Sequence, residues 1–221
     1  MGVVWLGGGG RLAFEAPPAD TPADRYTYDP GDPTPDFRVF EESEEDRRRV
    51  RPAGERDREA AERHRRVAES RRDVLVYETE PLAEPLRFAG PVAAVLYAAS
   101  SARDTDWFVT LSEVDGEGKI FQLVQGVIRA RFRNSMRQPE LLEPGVTYRY
   151  RIDLWHTGVE IPAGGRLRVE VTSAAFPRFS RNLNTGGHNE TETEWAVAEQ
   201  TVFHDAGRAS HVLLPVIGRA Q

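Results

Sequence analysis

The sequence contains no cysteine, and among its 29 basic residues only Lys119 is a lysine. Without cysteine there is no disulfide framework, no thiolate nucleophile and no cysteine-ligated zinc. No run of about 18 apolar residues occurs, so no helix is built to cross a membrane. The glycine-framed serine G-x-S-x-G is missing too, and with it the strand-to-helix elbow that presents the nucleophile in many acyl-transfer enzymes. The run Gly7–Gly10 is followed neither by Lys-Ser/Thr nor by helical sequence, so it is no phosphate cradle. The net charge of −6 argues against nucleic acid or an anionic membrane as a general partner. Met1 to Gly10 lacks the basic leader and apolar core of a secretory signal, which together with the absent cysteines makes a cytoplasmic location the expectation. Nothing in the sequence asks for a cofactor or a metal.

What is present suits one all-β domain. The 221 residues are 39% hydrophobic and 9% aromatic, enough to fill a core. Three zones differ in composition. Residues 1–40 are rich in Pro, Gly and Asp, with short strands expected at Val3–Leu6 and Arg11–Glu15, then an extended, turn-rich segment from Tyr26 to Pro35. Residues 41–72 are dominated by Glu, Asp and Arg. There Glu44/Arg48, Glu45/Arg49, Glu59/Arg63 and Glu62/Arg66 stand four apart with the acid first, the favourable order on a helix. Pro52 and Gly54 divide this insert into two expected helical pieces, the second with an apolar stripe at Ala60, Ala61, His64, Val67 and Ala68. Its near balance of acids and bases reads as a charged helical insert laid on the surface.

Residues 73–221 form the main body, and the period of two that marks half-buried strands recurs through them. Val74–Glu78 and the Leu86/Phe88 pair precede Val92–Ala98, a charge-free run expected to be buried on both faces. Trp107–Leu111, Ile120–Val124 and Val127–Arg133 follow, then alternation over Tyr148–Leu154 and Leu167–Val171, and finally Thr201–Phe203 and His211–Ile217. Asp115-Gly-Glu-Gly118 is a hairpin turn, while Glu143-Pro-Gly145 and Pro162-Ala-Gly-Gly165 each lead into a strand. Short strands at near-regular spacing, with no helix between them, mean a sandwich or barrel.

Chemistry-bearing residues are sparse. His188, Glu190, Glu192 and Glu194 would share one face of an extended stretch, but a solvated acidic loop is the plainer reading than a metal site. His156, His204 and His211 are expected at strand ends. Two clusters stand out. Asp104 and Asp106, just ahead of Trp107, are placed to bind calcium or a sugar or, more simply, to make Asx-type turns. The loop Phe176–Gly187 gathers Arg181, Asn182 and Asn184, either as a docking or ligand surface or as turn-forming residues.

Taken in order, the segments Asp73-Val-Leu-Val-Tyr77, Asp104-Thr-Asp-Trp107, Gly126–Arg133, Leu142–Tyr148, Ile152-Asp-Leu154 and Phe176-Pro through Arg181-Asn-Leu-Asn-Thr-Gly186 resemble the C-terminal domain of the X-prolyl dipeptidyl-peptidase and cocaine-esterase family of serine hydrolases. Tyr26–Pro35 resembles the lead-in to that domain. The resemblance implies a jelly-roll β-sandwich similar to galactose-binding-like folds, packed on an α/β-hydrolase domain that carries the Ser-Asp-His triad. No residue here aligns with that triad, so the implied role is non-catalytic. Asp104, Asp106, Trp107, Arg181, Asn182 and Asn184 become candidates for an inter-domain or ligand surface. The charged insert at 41–72 departs from the pattern, where a shorter loop is expected before Asp73. The competing expectation is a stand-alone carbohydrate- or protein-binding module.

Overall fold

Period-two alternation becomes strand over most of the chain. The structure, a computed structural model, describes residues 1–36 and 55–217. The strands are β1 (Gly2–Gly7), β2 (Arg11–Ala13), β3 (Asp24–Tyr28), β4 (Leu75–Glu78), β5 (Leu86–Ser100), β6 (Asp106–Val114), β7 (Ile120–Arg129), β8 (Tyr148–Ile161), β9 (Arg166–Thr172), β10 (Ala198–Val202) and β11 (His211–Leu214). The helix α1 runs over Glu55–Ser70.

Pairing runs β3-β10-β5-β11-β1-β2-β4-β9-β6-β7, with β8 on β5 as well. Because β8 pairs with β5 across Ala93–Ala98, β10 and β11 must share the opposite edge of β5, end to end. Every pairing between named strands is antiparallel except that of β2 with β4, at Arg11 and Glu78. The sheet therefore folds over on itself: β3, β10, β11, β5, β8 and β1 make one layer and β4, β9, β6 and β7 the other. Alternate residues point inward from both. Val4, Leu96, Tyr150 and Ile152 from the first layer meet Trp107, Val109, Val169 and Val171 from the second in one buried cluster. The rings of Trp107 and Tyr150 lie 5.7 Å apart across the sandwich. Where β7 closes on β8 the backbones nearly touch, and a Cβ on Gly126 would sit 2.1 Å from the carbonyl oxygen of Asp153. Only glycine permits that approach.

The all-β sandwich is as the sequence implies, with three local differences. Leu86, Phe88 and Val92–Ala98 belong to one strand, because Gly90, at φ 131, and a register shift between Pro91 and Ala93 bend β5 without ending it. Ile120–Val124 and Val127–Arg129 are likewise continuous. The alternation expected to Arg133 stops at Arg129, and Ala130–Phe132 makes a 3₁₀ turn. The turn forms because Asp104 and Thr105 capture the chain: Ala130 N–H donates to Thr105 O (2.8 Å) and Arg131 N–H to Asp104 Oδ1 (2.9 Å).

The second expected helical piece is α1. The first, with Glu44/Arg48 and Glu45/Arg49, lies outside the described residues. Ala61, His64 and Ala68 are the buried members of its stripe. Arg65 bonds Glu62 and Glu69 along the exposed side. Such exposed pairs are screened by solvent and too weak to hold a helix on a sheet. The attachment comes instead from His64, whose Nε2 lies 2.5 Å from Glu170 of β9 with both side chains buried. Arg168 bridges Glu170 (2.7 Å) and Glu78 (2.6 Å). Burial pushes the Glu170 carboxyl upward, but the hydrogen bond and charge of His64, with those of Arg168, outweigh it and hold it below the usual range.

Candidate functional site

Asp106 opens β6 and Asp104 stands two residues ahead of it, and both carboxylates turn to the same partner, Asn182. Both are buried, at 0% and 3% exposure. Opposite them β7 ends at Arg129, paired with Asp106, and Arg131 follows in the 3₁₀ turn, so two guanidiniums meet the two carboxylates. Arg129 is bidentate on Asp106 (3.0 and 3.1 Å). Arg131 donates from Nε to Asp104 (2.7 Å) and reaches Gly187 O (2.9 Å). Between the acids sits Asn182, whose Nδ2 donates to Asp104 (2.8 Å) and Asp106 (2.9 Å). Its Oδ1 accepts from Asn184 N–H (2.9 Å), and Asn184, at φ 65, donates to Ala196 O (2.7 Å). Burial pushes the Asp106 carboxyl above its usual range, and the bonds from Arg129 and Asn182 offset this only in part.

The structure thus brings together four of the six residues singled out in the sequence, Asp104, Asp106, Asn182 and Asn184, but in a closed network. The carboxylate oxygens that a calcium ion or sugar hydroxyl would need already accept N–H donors, so this pair is no open ligand site. Nor are they local turn residues, since their bonds run to β7 and to the 176–187 loop. Trp107 is fully buried in the core. Asn182 and Asn184 are sealed as well, so burial removes five of the six from any surface the chain presents. Arg181 alone is partly exposed. It donates to Pro30 O (2.6 Å), and its guanidinium lies 5.5 Å from the ring centre of Trp195, a side chain 47% exposed.

The histidines are accounted for separately. His204, fully buried, lies 3.0 Å from Asp24 and 3.4 Å from the Tyr77 hydroxyl. This resembles an acid–histidine pair, but its third member is a phenol that burial and the neighbouring Asp24 push well above the usual range, the opposite of an activated nucleophile. His156 lies within β8 rather than at a strand end. His211 packs on Trp5 at 4.7 Å. In the 188–194 stretch Glu190 accepts from Ser180 and Glu192 from Thr185. No group of three or more His, Asp or Glu able to hold a metal occurs among the described residues.

Two features escaped the sequence reading. Trp155 holds φ 70 on a bulge of β8, its N–H capped by Asp153 (2.8 Å), and stands 71% exposed. The apolar run of β5 has a second face that leads outward, and its unbroken hydrophobicity was the available signal.

The profile of the X-Pro dipeptidyl-peptidase C-terminal non-catalytic domain matches residues 3–213. The chain is similar to the cocaine esterase of Rhodococcus sp. (strain MB1 Bresler), 34% identical over 217 residues, which are 96% of this chain and 35% of that protein. Among solved structures, an α-amino acid ester hydrolase superposes with TM-score 0.82 at 27% identity, covering 97% of this chain and 36% of the other. An aminopeptidase from a marine sediment Thaumarchaeota archaeon superposes with TM-score 0.80 at 29% identity, covering 98% and 36%. The chain therefore spans about a third of the length of each of these relatives.

Proposed function

The chain belongs to the family of X-Pro dipeptidyl-peptidase C-terminal non-catalytic domains, and from that premise we propose that it serves as the non-catalytic sandwich of a serine hydrolase, seated on an α/β-hydrolase catalytic domain whose active site it helps to shape. One observation carries the reading. Residues 3–213 match the domain profile, yet the same fold makes up only 35% of an esterase and 36% of an ester hydrolase and of an aminopeptidase. The names of those proteins put hydrolysis of an ester or amide as the reaction class of the whole. The missing G-x-S-x-G and the Asp24–His204–Tyr77 arrangement, with no serine or thiol as its third member, fit a domain that leaves the chemistry to another part.

The test is a transplant. The matched third of the Rhodococcus cocaine esterase is replaced by this chain, and hydrolysis of p-nitrophenyl acetate is compared with that of the esterase lacking the segment. Restored turnover supports the reading, and a folded but inactive chimera opposes it. A stand-alone carbohydrate- or protein-binding module is the second reading, and the exposed ring of Trp155 is the feature that favours it. Calorimetric titration with soluble oligosaccharides separates the two: specific heat lost in Trp155→Ala would favour the module.

A further inference from the structure

The two outer faces of the sandwich differ in kind. On β6 and β9 the outward residues include Thr110, Ser112, Arg168 and Glu170, and α1, packed beside β7, reaches Glu170 through His64. The outer face of the other layer is apolar along β1, β11 and β5 and polar along β8, β10 and β3, and none of the described helices packs on it. Its rows follow from the strand register: Trp5 pairs with His211, His211 with Val95 and Val95 with Arg151, while Val3 pairs with Leu213 and Leu213 with Ala93. Tyr97 pairs with Arg149 in the next row of the same face. Val95 is sealed by its neighbours, whereas Val3, Trp5, Tyr97, His211 and Leu213 remain partly open to solvent. An apolar face with Trp and Tyr at its centre and Arg at its rim has the composition of an interface core.

We propose that this face, centred on Trp5, Val95 and Leu213, is where the catalytic α/β-hydrolase domain docks, and that the docking domain presents an apolar patch edged by carboxylates. The inference rests on the hydrolase reading above and adds the surface that serves it. Charge complementarity supplies the carboxylates. Arg25, Arg149 and Arg151 all point to this face, and among the described residues none has a carboxylate within 4.0 Å. The two acids on the same face are already engaged, Asp153 by Trp155 N–H and Glu199 by Thr27. A chain of net charge −6 thus has unneutralised arginines gathered around its apolar face. The order of the parts agrees. In relatives where this fold is the C-terminal domain, the rest of the protein joins at the end corresponding to β1, and β1 contributes Val3 and Trp5 to the face.

The test uses the chimera and the isolated 221-residue chain side by side. Leu213→Asp and Arg151→Glu are placed in each, with Arg65→Ala on α1 as a control on the opposite face. In the chimera, Leu213→Asp is expected to lower kcat/KM by about tenfold or more and to split one thermal transition into two. The isolated chain with the same substitution is expected to keep its melting temperature within about 2 °C. Arg151→Glu should act in the same direction with an effect that shrinks at high salt, and Arg65→Ala should change nothing. A chimera indifferent to Leu213→Asp and Arg151→Glu overturns the docking face and leaves the hydrolase reading standing. An unsubstituted chimera that folds but is inactive, or melts as two independent parts, removes the hydrolase reading itself. Sedimentation of the isolated chain as a dimer that Leu213→Asp dissociates gives the face to a second copy and overturns the assignment.

Discussion

Asn182 is a neutral side chain set between Asp104 and Asp106, and its two N–H bonds lie between carboxylates that would repel each other. Replacing it by alanine leaves Asp104 and Asp106 each short of a donor in a site with no water access. Leaving a buried acceptor short of a hydrogen-bond donor costs about 1–3 kcal/mol, at the upper end where the acceptor is charged, so Asn182→Ala should lower the free energy of unfolding in urea by an amount near that range. A loss under about 0.5 kcal/mol, the scale of surface changes, would mean the network is less coupled than its geometry implies. Gly126 makes a sharper test, because its obstacle is backbone. Gly126→Ala sets a methyl 2.1 Å from Asp153 O, and overpacking that cannot relax costs about 3 kcal/mol or more. Gly116, whose Cβ would meet nothing within 4 Å and whose φ is not in the left-handed region, is the matched control. Gly116→Ala should be neutral or stabilising by about 0.4–1 kcal/mol. Equal effects at the two sites would contradict the closed β7–β8 edge.

Helix α1 is held by charge on a polar face, so its attachment should follow pH. The Glu170 carboxyl sits below the usual carboxylate range, with His64 from α1 and Arg168 from β9 facing it. A carboxyl lowered by folding stabilises the fold above its unfolded pKa, and that contribution is lost as pH falls through the folded value. Asp106 runs the opposite way, since its raised carboxyl favours the fold at acid pH and loses that contribution as pH rises through the folded value. Glu170→Gln should therefore be less stable at pH 7 and lose less further stability on acidification below about pH 4.5 than the unsubstituted chain. Urea midpoints from pH 7 to pH 3 measure this, and parallel acid limbs would contradict it. The strands themselves were largely legible in the sequence, because inward and outward residues differ in polarity at a period of two. The continuity of β5 was not, since it depends on Gly90 adopting φ 131 rather than on side-chain pattern. The end of β7 was not legible either, because the contacts that turn the chain there come from Asp104 and Thr105, about 25 residues earlier. The same separation explains the candidate site. Its members could be singled out by residue type and order, but their burial depends on pairings across 76 and 78 residues that no local pattern carries.

At the scale of the molecule, a two-layer sandwich has dressed one outer face with a polar helix and left the other apolar, with arginines along its rim. That asymmetry fits a domain with one side turned to solvent and the other to a partner. It also explains why the sequence holds so little recognisable chemistry: the buried charges brace the β6–β7 end, and the acid–histidine pair ends on a phenol. The central claim is that this chain performs no acyl transfer by itself, and it is tested most directly by turnover of p-nitrophenyl acyl esters and an Ala-Pro chromogenic amide with the purified chain. The account predicts rates indistinguishable from buffer. Turnover that scales with protein concentration and is abolished by a serine-directed inhibitor would contradict it.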